Sequence, residues 1–169
     1  MVAPPEDREN YRFQEVARMA FAMLLPELGH YGLGRDAMSI RVLVVEDDED
    51  FQWLLRLSLQ LEHDTTVVGV AGDGGTGVDL ALREQPDVVV MDLMKTRING
   101  FEATRRMKQI RPAVKVVVVT AFPVDNAICQ QMYRSGVDAL LRKADVATSL
   151  VPTIRLLHQT DTLADSLIA

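Results

Sequence analysis

The chain has 169 residues, 48% of them hydrophobic and 25% charged. That is enough for one domain with a real core and not comfortably enough for two, and a formal net charge of −6 speaks against a non-specific nucleic-acid binder, which wants a basic stripe. The single cysteine, Cys129, excludes an internal disulfide and fits a reducing cytoplasm; the apolar run Met19–Leu25 is too short to span a bilayer, and Glu6, Asp7, Glu9 and Glu15 stand where a secretion signal would be basic.

Residues 1–37 read as an N-terminal helical extension and linker. Pro4-Pro5 opens the segment, Phe13, Val16, Ala17, Ala20, Phe21 and Leu24 recur at helical spacing, and Pro26 with Gly29, Gly32 and Gly34 breaks the pattern. The segment is either an extension that lies on its own domain or is mobile, or a partner-binding helix; Met38 is itself a candidate start of translation.

From Ile40 onward, apolar runs alternate with amphipathic ones. Strands are expected at 40–45, 66–70, 87–92, 114–120 and 139–141, and helices at about 50–62, 75–84, 100–110, 125–135 and 146–158. Unbroken Val-rich strands such as Val88-Val89-Val90 suit a sheet covered on both faces. Repeated β/α units with short connections imply an α/β fold, a doubly wound five-stranded parallel sheet with right-handed crossovers. The domain is expected to span 38–160, with the last helix ending near 158 and 161–169 as a C-terminal tail.

The chemistry sits where the strands stop. Ile40–Val45 runs into Glu46-Asp47-Asp48, Val88–Met91 into Asp92, Val114–Val119 into Thr120, and Leu140-Leu141 into Arg142-Lys143. A parallel sheet gathers the carboxyl ends of its strands on one edge, where ligands bind. Glu46, Asp47 and Asp92 would then offer oxygen ligands of the kind Mg²⁺ prefers. Asp92 would be an acceptor carboxylate, Thr120 a hydroxyl donor and Lys143 a fixed positive charge. A Mg²⁺-dependent phosphoryl-accepting aspartate needs this set, because phosphoryl transfer asks mainly for positioning and charge stabilisation. Taken singly, each residue has a plainer reading: acids after strands are often helix caps, as Asp48 is expected to be, and a lone lysine is usually surface.

Residues 38 to about 158 resemble the receiver domain of two-component response regulators. The resemblance rests on Arg41-Val-Leu-Val-Val-Glu46-Asp47-Asp48, on Pro86-Asp-Val-Val-Val-Met-Asp92-Leu-Met, on Asn99-Gly100-Phe-Glu-Ala-Thr-Arg-Arg, on Val119-Thr120-Ala121 and on Leu141-Arg142-Lys143. It implies a single-domain switch with flavodoxin-like strand order 2-1-3-4-5, phosphorylated on Asp92 by a histidine kinase or phosphotransfer protein. It also implies Mg²⁺ held by Asp47, Asp92 and the Met94 carbonyl, with Glu46 acting through water. Thr120 and Lys143 would be the switch threonine and the lysine of the site. The implied output is a changed protein-binding face made of helix 125–135, strand 139–141 and helix 146–158, through which a homodimer is also expected. No nucleic acid, no membrane and no enzyme activity beyond self-phosphorylation and dephosphorylation are expected, in a cytoplasmic setting.

The chain departs from the family's pattern at Thr96 and Ala144, where prolines are usual, and at Leu140, where an aromatic is usual. Without proline the lysine loop loses a fixed φ, and its peptide geometry is expected to differ. Two further readings stand beside the switch. One is a receiver fold used purely for docking and never phosphorylated. The other is a dinucleotide-binding domain, because Gly72-Asp-Gly74-Gly75-Thr76-Gly77 fits G-x-G-x-x-G between a strand and a helix. That motif also reads as a simple glycine turn, and it leaves Glu46, Asp47, Thr120 and Lys143 without a role.

Overall fold

In the computed structural model the described residues are 39–92, 100–121 and 124–168, with side chains described as far as 159. The expected N-terminal helix and linker, Met94 and Thr96 therefore lie outside the described residues. Among those described, β1 (Ile40–Val45), β2 (Thr65–Ala71), β3 (Val88–Asp92), β4 (Lys115–Thr120) and β5 (Ala139–Arg142) form one sheet in the order β2-β1-β3-β4-β5. Every neighbouring pair is parallel. Between the strands run α1 (Glu49–Gln60), α2 (Gly74–Glu84), α3 (Gly100–Ile110) and α4 (Asn126–Ser135), and α5 (Val146–Ile168) closes the chain.

The three central strands explain the Val-rich runs. Val42–Val45, Val88–Met91 and Val116–Val119 have no solvent exposure, because helices cover both faces of the sheet. Side chains alternate across it: Leu43, Val45, Val89, Met91 and Val116 form one core cluster with Val78, Ala103 and Met107 of α2 and α3. Leu55 and Leu59 of α1 and Leu150 and Ile154 of α5 are buried as well.

Aspartates set the helix starts. Asp48 Oδ1 accepts from the Phe51 amide at 2.9 Å, Asp73 Oδ1 from Gly75 and Thr76 at 2.8 and 3.0 Å, and Asp125 Oδ1 from Ile128 at 2.8 Å. Each satisfies amides that the first helical turn leaves unpaired. α4 ends at Gly136, whose φ of 86° is a conformation that favours glycine.

The one element that departs from expectation is α5. Its backbone stays helical to Ile168, well past 158 and through most of the segment expected to be a tail. The physical reason is in the sequence: nothing after Pro152 is Gly or Pro, so no breaker stops the helix. Among the described residues, no helix is long and apolar enough to cross a membrane.

α2 approaches β1 closely at Gly77, where an added Cβ would lie 2.8 and 3.2 Å from the two methyl carbons of buried Val45 and 3.4 Å from Met107. At Gly72 an added Cβ would meet nothing within 4 Å. Gly77→Ala should therefore lower stability in urea by about 1–2 kcal/mol, since overpacking outweighs alanine's helix preference. Gly72→Ala should leave it near wild type; equal effects would contradict this packing.

Candidate functional site at the carboxyl edge of the sheet

Register brings the site residues to one edge. Val45 pairs with Met91, so Glu46 follows β1 at the level of Asp92, and Asp92 pairs with Val119. Thr120 lies one residue further along β4, level with Arg142, and Lys143 comes one residue beyond. Asp92 and Thr120 end their strands buried, and Glu46 is wholly buried. Asp47, next in sequence, is exposed, and its carboxylate still reaches the same edge, within 4.8 Å of those of Glu46 and Asp92.

Lys143 links the edge together. Its Nζ donates to Glu46 Oε2 at 2.6 Å and lies 2.9 Å from Asp92 Oδ2. The same ammonium stands over the Phe51 ring, 4.1 Å from its centroid. Glu46 is held from three sides: Oε1 accepts from the Asp48 amide at 3.1 Å, Oε2 from Lys143, and its backbone carbonyl accepts from the Gln52 side-chain amide.

Burial pushes the Glu46 carboxyl above the usual carboxylate range, and the neighbouring Asp92 charge adds to this, against the pull of Lys143. Burial also works against the Lys143 ammonium, but its hydrogen bonds and charge contacts with Glu46 and Asp92 prevail and raise its pKa. The ammonium is thus a fixed charge at neutral pH.

A divalent cation fits here by the chemistry of the donors. Carboxylate oxygens of Glu46, Asp47 and Asp92 lie within 4.8 Å of one another, all hard oxygen ligands, and the Lys143 ammonium pairs with two of the three, Glu46 and Asp92. A second acidic group, Glu62, His63 and Asp64, also clusters. There Arg155 takes both carboxylates at 2.7 Å, tying α5 to the turn after α1.

The edge joins all the sequence-nominated residues that are described: Glu46, Asp47, Asp92, Thr120 and Lys143. Met94 lies outside the described residues. Sequence reasoning missed Phe51 and Gln52. Gln52 is the fourth residue after the cap Asp48, a position from which a helix start can reach back to the preceding strand end; the ring of Phe51 has no such signal, since an aromatic in the first turn reads as core.

The glycine motif has a structural occupation. Asp73 caps α2, its two oxygens taking the amides of Gly75 and Thr76 and the Thr76 hydroxyl at 2.8 Å. The amides that a dinucleotide pyrophosphate would need are already bonded to a carboxylate, and Gly77 serves the close approach to Val45. The strand order, with β1 between β2 and β3, is that of the flavodoxin-like sheet.

Residues 42–155 match the response regulator receiver domain. The chain belongs to that family. Response regulator protein VraR of Staphylococcus saprophyticus is 30% identical over 129 residues, 76% of this chain and 61% of that protein. The transcriptional regulatory protein LiaR of Bacillus subtilis is 32% identical over 130 residues, 77% of this chain and 61% of its own length. The chain thus spans about three-fifths of the length of these relatives. The response regulator domain of Thermotoga maritima CheB superposes with a TM-score of 0.65 at 29% identity, over 70% of this chain and 96% of that one. The REC domain of AraT from Geobacillus stearothermophilus, at 24% identity and a TM-score of 0.67 over 76% of this chain and 99% of that one, shares the fold. Receiver domains act in two-component signalling as partners of histidine kinases and bind Mg²⁺ at an acidic pocket.

An edge that gathers three carboxylates and pairs two of them with one ammonium carries repulsion that a cation or a neutral side chain should reduce. In this receiver, Mg²⁺ should raise the thermal midpoint, by about 1.4 kcal/mol of stability at ten times its Kd. Asp92→Asn should raise the midpoint without metal and shrink the gain on adding it. A midpoint unmoved by millimolar Mg²⁺ in the wild type would contradict the assignment of a cation to this edge.

Proposed function

We propose that this receiver is a phosphorylation-controlled binding switch whose phosphoryl acceptor is Asp92. The observation that carries the reading is the Lys143 ammonium lying against both Glu46 and Asp92, with buried Thr120 ending the neighbouring strand. An Asp92 carboxylate oxygen attacks the phosphorus of a phosphohistidine on a kinase or phosphotransfer protein. An acyl phosphate O–P bond forms, the N–P bond breaks, and the histidine keeps the electron pair and takes a proton. Lys143, already 2.9 Å from the acceptor carboxylate, is placed to pair with the phosphoryl oxygens as charge builds on them. Thr120 is a hydroxyl donor for another of those oxygens. Glu46, Asp47 and Asp92, with the Met94 carbonyl, would hold Mg²⁺, which when bound offsets the negative charge of acceptor and phosphoryl group. Water later returns Asp92 to a carboxylate and releases inorganic phosphate.

The output follows from added charge at a buried edge, a local event read elsewhere on the molecule. The α4–β5–α5 face is the surface we assign to it. Tyr133 is 86% exposed, Leu156 62%, and Leu140 is also exposed. That much apolar surface suits a protein partner or a second copy. One of the longer relatives, LiaR, is a transcriptional regulatory protein, and no nucleic-acid role is assigned to the receiver itself. The domain division belongs to the same reading: 1–37 an extension, and the receiver from 38, in keeping with a split of the chain into Met1–Ala37 and Met38–Ala169.

Incubation with a small-molecule phosphodonor and Mg²⁺, followed by intact-mass measurement, should give a single phosphoryl adduct that alkali removes. Asp92→Asn should abolish it. An adduct of equal yield in Asp92→Asn would remove Asp92 as acceptor, and no adduct in the wild type from either a small donor or a phosphorylated kinase would favour a docking module.

A further inference from the structure

We propose that Phe51 is a positioning residue for phosphoryl transfer, its ring face holding the Lys143 ammonium in place whether or not Asp92 carries a phosphoryl group. The inference rests on the assignment of Asp92 as acceptor. An ammonium has three N–H donors and a flexible four-carbon stem. Two directions are taken by Glu46 Oε2 at 2.6 Å and Asp92 Oδ2 at 2.9 Å. The ring of Phe51, 4.1 Å away at its centroid, takes a third side. Phosphorylation converts the Asp92 carboxylate into a mixed carboxylic–phosphoric anhydride, so the ion pair with Oδ2 gives way to one with the phosphoryl oxygens, and the ammonium must be held accurately while its partner changes. A bound divalent cation would compete for Glu46 in the same way. The ring's negative face depends on neither event.

The placement of Phe51 is itself fixed. It is buried, in the first turn of α1, and its amide is bonded to Asp48 Oδ1 at 2.9 Å. The next residue, Gln52, bonds the Glu46 carbonyl, so the start of α1 is fastened to the strand end that carries Glu46. A ring held this way is a rigid wall for a mobile charge. Cation–π attraction grows when the ion is desolvated, as Lys143 largely is here.

The purely structural alternative is that Phe51 only fills space, and fluorination separates the two. Ring fluorines drain the negative face in steps while barely changing the shape. The full chain carrying Phe, 4-fluoro-, 3,5-difluoro- or 3,4,5-trifluorophenylalanine at position 51 would be phosphorylated with acetyl phosphate at saturating Mg²⁺. The rate should fall stepwise along the series, by about 2- to 10-fold at trifluoro, with the thermal midpoint unchanged. Phe51→Leu, which keeps an apolar side chain and removes the ring, should be at least as slow as the trifluoro protein. A flat rate across the series, a leucine variant at the wild-type rate, or rates that merely track the midpoint would overturn the proposal. The ¹⁵Nζ resonance of Lys143 reads the contact without any turnover: it should shift in step with fluorination, and a fixed resonance overturns the proposal. Absence of any adduct on the unsubstituted chain would instead overturn the assignment of Asp92, leaving the resonance to decide the Phe51 contact.

Discussion

The contact on which the functional edge depends is one ammonium shared by two buried carboxylates. Glu46 has no solvent exposure and Asp92 almost none, and an unpaired carboxylate in such a place costs several kcal/mol. Lys143 offsets that cost for both at 2.6 and 2.9 Å. Without it the two acids would repel at close range in a poorly hydrated pocket. Charge balance remains incomplete, with the Asp47 carboxylate nearby, which is the donor chemistry that suits a divalent cation.

The fold supplies this contact from far apart in the chain. Glu46 and Lys143 are 97 residues apart, yet both follow strands that run the same way through one sheet. β1 and β3 lie side by side and deliver Glu46 and Asp92 at one level, while β4 and β5 deliver Thr120 and Lys143 progressively further out. A one-residue slip of any of these strands would turn its terminal side chain to the other face. Such a slip would also carry Leu43 and Met91 out of the cluster they form with Val78, Ala103 and Met107. Core packing and site geometry are thus the same constraint seen from two ends of the strands.

Much of this was legible in the sequence because parallel strands buried on both faces leave so clear a mark. Val88-Val89-Val90 followed by Asp92, and Ile40–Val45 followed by Glu46-Asp47, place strand and site residue together, and the structure has both strands where those runs predict. The five nominated residues that are described meet at one edge for that reason. α5 runs on to Ile168 rather than ending near 158, because helix continuation depends on the lack of a breaker after Pro152 and not on where the apolar stripe stops. Lys143 could be named from its motif but not its grip on Glu46, since a hydrogen bond over 97 residues has no local signature. The glycine motif is ambiguous in sequence: a pattern that suits a phosphate also suits a turn into an aspartate-capped helix, and Asp73 bonded to Gly75 and Thr76 decides for the turn.

The central claim is that Asp92 is the acceptor and that Lys143 is the charge that follows the phosphoryl group. The most direct measurement is a crystal structure of the full chain grown with Mg²⁺ and beryllofluoride, a tetrahedral stand-in for a phosphoryl group. Beryllium should be bonded to an Asp92 oxygen, with Lys143 Nζ within hydrogen-bond distance of a fluoride. Beryllium on another carboxylate, or a Lys143 side chain turned away from the adduct into solvent, would contradict it.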